Sequence, residues 1–208
     1  MPSTLYQRLT KDLNRDALSP DVAISIVEKH GFDEIGCGAF STTYGRDDVP
    51  FVVKINKEHD PGAFQFYSTI VRKSSKHFPK IHRLQTYVSD KGYFCFIVIM
   101  ERLEPLEKDT WKKQINEDSK NFIHWLTTHP HSLMKNFTKS DTKASNKWSK
   151  CNRASEKTIL SMLSFVEKFG VADFHEDNVM IRMPQGDVVL TDPICTYIDP
   201  HATDHNRR

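Results

Sequence analysis

The stretch VADFHEDNVMIR, from Val171 to Arg182, sets Asp173, His175, Glu176, Asp177 and Asn178 within six positions, with apolar residues on both sides. Carboxylate and amide oxygens are hard donors. They suit magnesium, which keeps several waters and takes only one or two protein ligands alongside phosphates. Asp192 ends a later run, DVVLTD. If NVMIR and DVVLTD pair as a hairpin, Asn178 and Asp192 meet at one end of it as a two-residue ligand set. Asp173 then stands outside the metal shell, where a carboxylate orients or deprotonates a hydroxyl. Taken singly, Asp173 and Asp192 are also ordinary turn residues or helix N-caps.

Two further features point toward phosphate. Gly36 and Gly38 lie in IGCGAFSTTYG, where the absence of side chains lets backbone N–H groups approach anionic oxygens. A lone GxG is most often a plain turn. No Gly-Lys-Ser/Thr follows, which excludes a Walker loop, and a strand rather than a helix comes next, which excludes a dinucleotide fingerprint. Lys54 is the second feature, a charge set among Phe51, Val52, Val53 and Ile55. On an inward face it must find an anion, because an unpaired buried charge is too costly. On an edge strand it would simply face water. Its place 16 residues after Gly38 would let it reach phosphates lying under the turn.

The elements that position these residues follow from punctuation and period. Residues 1–30 read as two helices, the second opened by Ser19 as N-cap and Pro20 at the first helical position, and stopped before Gly31. From Phe32 to Ile55 the pattern is strand-like, with Arg46-Asp47-Asp48 as a turn. Residues 61–76 predict a short helix. HRLQTYV, SDKG and YFCFIVIM predict a hairpin whose second strand is buried on both faces. Residues 104–130 read as helical, with Phe122, Ile123, Trp125 and Leu126 as core. Residues 131–153 read as a basic, solvated loop, in which Lys135, Lys139, Lys143 and Lys147 recur every fourth position. Ser155 caps a further helix that ends at Gly170. The hairpin NVMIR to DVVLTD turns at Pro184 to Asp187. The expected fold is α+β: an N-terminal helical extension over 1–31, a strand-rich lobe over 32–103 and a reduced helical lobe over 104–208.

Composition narrows the partners. The chain has 208 residues, 38% hydrophobic and 27% charged, as a globular protein does. A net charge of +2 gives no global field for nucleic acid. No apolar run approaches the roughly 20 residues of a membrane span, and the N-terminus MPSTLYQRLTKDLNRD is too polar for a secretory signal. Cys37, Cys95, Cys151 and Cys195 form no CxxC pair, so reduced thiols in a cytoplasm are expected and a zinc site is not.

With these residues in view, the sequence from Phe32 to Ile194 resembles the protein-kinase-like superfamily. Gly36-Cys37-Gly38-Ala39-Phe40 is similar to its G-x-G-x-F phosphate loop, and VVK ending at Lys54 to its A-x-K. FIVIMERLEPL looks like the fifth strand and hinge, with Met100 as gatekeeper and Glu101 to Leu103 lining the adenine site. Asp173 and Asn178, five apart, match the catalytic Asp and metal-binding Asn, and Asp192 matches the Asp of the metal motif. GFDEIGCGAFS, DFHEDNVM and TDPI resemble most the early serine/threonine kinases of T-seven-like short-tailed phages.

That resemblance implies a two-lobed kinase-like fold with a small antiparallel β N-lobe and a reduced C-lobe. It implies phosphoryl transfer from ATP, with Mg2+, to Ser or Thr hydroxyls of host proteins in the host cytoplasm. Gly36, Gly38, Phe40, Ser41, Lys54, Met100, Glu101 and Leu103 would line the nucleotide; Asn178 and Asp192 would hold the metal; Asp173 and Lys54 would be catalytic. Autophosphorylation of the Ser and Thr residues of 131–153 would reverse the charge there. The sequence departs from the superfamily in several places. Ser41 replaces the third glycine, Asp192-Pro193-Ile194 replaces Asp-Phe-Gly, Val171-Ala172-Asp173 replaces His-Arg-Asp, and no glutamate marks the helix that should pair with Lys54. Gln65 lies nearest that place. Two alternatives stay open: a small-molecule kinase, since D-x-H-x-x-N through His175 also occurs in such enzymes, and a non-catalytic module that binds and inhibits a host protein.

Overall fold

The computed structural model describes residues 4–15, 18–72, 75–106, 111–128, 161, 171–172 and 178–195. They form an α+β protein whose strand pairs are all antiparallel. The chain divides into two compact units, residues 1–60 with 67–74 and 79–103, and residues 61–66 with 75–78 and 104–208.

The first unit opens with α1 (Thr4–Leu13) and α2 (Pro20–Lys29). Ser19 Oγ accepts the Val22 N–H at 3.3 Å and Pro20 fixes the first turn, as expected for an N-cap followed by proline. Gly31, at φ 77°, supplies the left-handed residue that ends α2. Five strands follow: β1 (Asp33–Cys37), β2 (Ser41–Gly45), β3 (Phe51–Asn56), β4 (Ile81–Val88) and β5 (Phe94–Glu101). Their order in the sheet is β1-β2-β3-β5-β4.

Period-two alternation splits β3 and β5 between two faces. Val53, Ile55, Ile97 and Ile99 join Tyr44 and Phe51 beneath Leu9, Leu13, Ala23, Ile26 and Val27 of the two helices, forming one core. Each fully buried aliphatic side chain of this kind contributes roughly 1.5–3 kcal/mol. Val52, Lys54, Asn56, Phe96, Val98 and Met100 occupy the other face and are also buried. The expected burial of β5 on both faces is therefore observed. The strand-like stretch from Phe32 to Gly45 is two strands rather than one, because the chain turns between Gly38 and Ser41.

The helix predicted over 61–76 is shorter: α3 runs Pro61–Ile70. The β-branched run Thr69-Ile70-Val71 favours exit from the helix. Residues 75–78 instead run beside a strand of the second unit, β9 (Asp187–Leu190), where His77 O accepts the Leu190 N–H at 3.0 Å.

The second unit also corrects the helix expected from residue 104. Glu104–Pro105 form β6, at the edge of a three-stranded sheet ordered β6-β8-β9, with β8 at Val179–Arg182. Pro105 cannot donate inside a helix, and an edge strand tolerates it. Helix α4 (Trp111–Gln114) and α5 (Glu117–Thr128) follow. Asn116 caps α5: its Oδ1 accepts the Ser119 N–H at 2.9 Å, and its Nδ2 donates to Gln185 O at 3.1 Å and to Asp187 Oδ1 at 2.9 Å. Phe122 is fully buried and Ile123 half-buried; the side chains of Trp125 and Leu126 lie outside the described residues.

The predicted hairpin of β8 and β9 is present, with Val179 opposite Leu190 and Arg182 opposite Asp187. Its turn passes Gly186 at φ 70°, where an added Cβ would lie 2.6 Å from the Gln114 carbonyl oxygen. Two short strands, β7 (Val171–Ala172) and β10 (Ile194–Cys195), pair Ala172 with Ile194. The basic loop expected at 131–153 lies outside the described residues, as does the helix expected from Ser155 to Gly170 apart from Ser161.

Candidate functional site

In the first unit, one row of facing residues crosses the sheet. Gly36 of β1 is opposite Thr43 of β2, Thr43 is opposite Lys54 of β3, and Lys54 is opposite Val98 of β5. Strand spacing puts the Gly36 and Lys54 backbones about 10 Å apart, within reach of a lysine side chain and a phosphate together. The turn from β1 to β2 is closed by Gly38 N–H donating to Ser41 O at 2.8 Å. Its base is tied to the end of β3, since Phe40 O accepts from Lys57 N–H at 2.8 Å and from Asn56 Nδ2 at 3.3 Å. Ser41 pairs with Asn56, on the Lys54 face.

The fold itself does not require glycine at either position of the turn. A Cβ on Gly36 would meet nothing within 4 Å, and one on Gly38 only Ser41 O at 3.9 Å. Neither takes a positive φ; among the described residues Gly31, Gly92 and Gly186 do. Both are exposed. The arrangement leaves open space on the outer side of the turn, where a ligand can come close to the backbone.

Lys54 is 7% exposed on the central strand β3, which excludes the water-facing edge position weighed above. Its Nζ lies 5.7 Å from the centre of the Tyr67 ring. Met100 shares its face two residues beyond Val98 and is buried. Glu101 points to the opposite face, opposite Phe51, and its Oε1 accepts the Lys80 N–H at 2.8 Å. Leu103 is buried. Gln65 is half-buried on α3, whose sequence PGAFQFYSTI holds no acidic residue. Tyr67 escaped the sequence reading because an aromatic in an apolar helix carries the same signal as any core residue.

In the second unit, the hairpin brings Asn178 to Asp192 as expected. The ladder continues one step beyond Val179 and Leu190, with Thr191 N–H donating to Asn178 O at 3.0 Å. Asp192 follows directly. Both side chains are half-buried, and an amide with one carboxylate is the donor set that magnesium takes beside phosphates. Among the described residues no three or more His, Cys, Asp or Glu side chains cluster as a metal cage. Asp173 lies outside the described residues; the residue before it, Ala172, is held opposite Ile194, two positions after Asp192.

The hairpin has a rigid support. His77 is fully buried, its ring stacked on Phe122 at 4.3 Å, and its Nδ1–H donates to Val188 O at 2.7 Å. Burial lowers its pKa to about 4, so the ring is neutral near pH 7. Val188 N–H donates to Ser119 Oγ at 3.0 Å, and Arg182 donates to the carbonyls of Lys76 and Phe78 at 2.6 and 2.9 Å. Sequence patterning did not reveal His77 or Arg182, because their partners are backbone carbonyls far away in the chain.

The fold is thus an α+β protein carrying an open glycine turn in register with a buried lysine in one unit, and an Asn–Asp hairpin end in the other. Residues 18–206 match the family described as bacteriophage T7 protein kinase 0.7, and the chain belongs to that phage protein kinase family. No curated protein matches the chain. Among the described residues no helix is long and apolar enough to cross a membrane.

Proposed function

We propose that the protein transfers the γ-phosphoryl group of ATP, in a magnesium-dependent reaction, to Ser and Thr hydroxyls of host proteins, and to its own 131–153 segment. The first unit supplies the phosphate-facing turn at Gly36 and Gly38, the Lys54 ammonium and the apolar Met100 and Leu103 for the base. The second supplies Asn178, Asp192 and Asp173, so that the two units correspond to the lobes of a reduced kinase. Asn178 and Asp192 would hold magnesium, which when bound neutralises charge on the phosphates. Lys54 draws the phosphate oxygens into line. Asp173 accepts a hydrogen bond from the acceptor hydroxyl and orients its oxygen toward the γ-phosphorus, with ADP leaving. Catalysis of this kind is mostly positioning and charge neutralisation.

The observation that carries this reading is the row Gly36–Thr43–Lys54: a buried cation placed in register with glycines that the fold itself does not need. Radiolabelled ATP incubated with the protein and host lysate tests it. Label in protein bands, lost in Asp173→Ala and Lys54→Met, is expected. Label confined to small molecules, or transfer unchanged by Asp173→Ala, contradicts it. A second reading, a kinase-like module that inhibits a host protein without catalysis, is favoured by the absence of Asp and Glu from α3. It would show as complete lack of transfer together with stoichiometric capture of one host protein.

A further inference from the structure

Glycines give the turn between β1 and β2 its openness, and they also leave it weakly constrained. An added Cβ would meet nothing within 4 Å at Gly36 and only Ser41 O, at 3.9 Å, at Gly38, so side-chain packing does little there to hold one shape. A turn that lines up phosphates must nevertheless hold one. One fixed point is the Phe40 carbonyl, which accepts from the Lys57 N–H at 2.8 Å and from Asn56 Nδ2 at 3.3 Å. Asn56 is itself held at the backbone: it pairs with Ser41 across the ladder, and the buried Tyr87 hydroxyl donates to its carbonyl. Its side chain is buried, on the face that Lys54 occupies two positions earlier. The amide carries a penalty. With Nδ2 turned to Phe40, Oδ1 is buried and has no hydrogen-bond partner among the described residues, and an unmet buried acceptor destabilises a fold. A leucine of similar shape would avoid that loss, so stability alone does not account for asparagine at this position.

We propose that Asn56 is a positioning residue for the glycine turn: its side-chain amide, bonded to the Phe40 carbonyl, sets how residues 36–41 lie relative to β3 and so how the turn fits the phosphates of ATP. The proposal rests on the kinase reading above. Loss of the donor acts on nucleotide binding rather than on the acceptor hydroxyl, because the residues assigned to that hydroxyl and to the metal belong to other elements. Thr42 supplies a comparison one position beyond Ser41. It is buried and its Oγ1 also has no hydrogen-bond partner among the described residues. It pairs with Ile55, however, on the side of the sheet that packs against α1 and α2, and its hydroxyl makes no bond to the turn.

The test has two arms, both on the full chain. Without nucleotide, Asn56→Leu should raise amide hydrogen exchange at Gly38 and Lys57 about 5-fold, with the amides of residues 97–99 in β5 unchanged. In steady-state phosphoryl transfer, Asn56→Leu should raise KM for ATP about 5-fold, with kcat and KM for the protein acceptor close to wild type. Thr42→Val should alter none of these. If Asn56→Leu does not fold, Asn56→Asp keeps the shape but removes the donor, and the same changes are expected. In the wild type, one Asn56 Nδ2 proton should exchange slowly and should shift when ADP with magnesium is added. Folded variants with wild-type exchange at Gly38 and Lys57, an unchanged KM for ATP, or an Asn56 amide that exchanges freely in the wild type overturn the proposal. A wild type that transfers no phosphate, while Asn56→Leu still loosens the turn, overturns the kinase reading and leaves the Asn56 strut in place.

Discussion

Thr191 donates its backbone N–H to the Asn178 carbonyl at 3.0 Å, one rung beyond the Val179–Leu190 pair. That rung fixes where Asn178 and Asp192 can point, because both leave the same end of a two-stranded ladder. A metal ligand pair built this way is positioned by backbone hydrogen bonds rather than by side-chain packing. Asn178→Ala and Asp192→Ala should therefore leave the fold intact. Each should reduce phosphoryl transfer by at least about 100-fold and raise the magnesium concentration needed for half-maximal rate. Transfer assays across a magnesium series, with circular dichroism as the folding control, check both effects.

The glycines separate into two kinds with opposite expected outcomes. Gly36→Ala adds a methyl into open space at an unstrained backbone, so stability should change by no more than about 0.5 kcal/mol, while KM for ATP rises. Gly186→Ala places a Cβ 2.6 Å from Gln114 O and 2.9 Å from Asn116 N at φ 70°, so it should cost at least about 2 kcal/mol. Urea unfolding of the two variants, beside ATP kinetics for the first, makes the comparison.

His77 predicts an acid-sensitive second unit. Its pKa falls from the usual 6.5 to about 4 on folding, because burial disfavours the imidazolium. A depressed folded-state pKa means the unfolded chain takes up the proton first. The stabilising contribution is full above about pH 6.5 and is lost as pH falls toward 4, by up to about 3 kcal/mol. Denaturant unfolding at intervals from pH 7 to pH 4 should show this loss, and His77→Phe should flatten that part of the profile whatever its absolute stability.

Asn116 caps α5 with one hydrogen bond and ties it to the hairpin with two more. Asn116→Ala should cost about 1–2 kcal/mol, as loss of a strong N-cap does, and should accelerate amide exchange at residues 185–188 more than at the β3 amides. Hydrogen exchange resolved by residue reads both.

Much of this was legible in the sequence, for identifiable reasons. Ser19-Pro20 and Gly31 bracket α2 because capping and φ > 0 are local requirements. The hairpins at β4–β5 and β8–β9 show through turn residues between strand-forming runs, which is why Asn178 and Asp192 could be placed together before any coordinates. Lys54 was legible as a charge among apolar neighbours, but not the side it faces, because a strand residue's surroundings depend on which strands flank it. The pairing of Glu104–Pro105 with β8 joins residues more than seventy positions apart, and no local pattern announces it. His77 and Arg182 meet partners brought by tertiary packing, and their residue types alone do not announce them.

The proposed function places the phosphates of ATP at the Gly36–Lys54 row and magnesium at the Asn178–Asp192 hairpin end. Amide hydrogen exchange of the full chain during a titration with ATP and magnesium tests it most directly. Saturable protection is expected at residues 36–41 and 178–192 together, with the second segment dependent on magnesium. Absence of saturable protection, or protection confined to other segments, would contradict it.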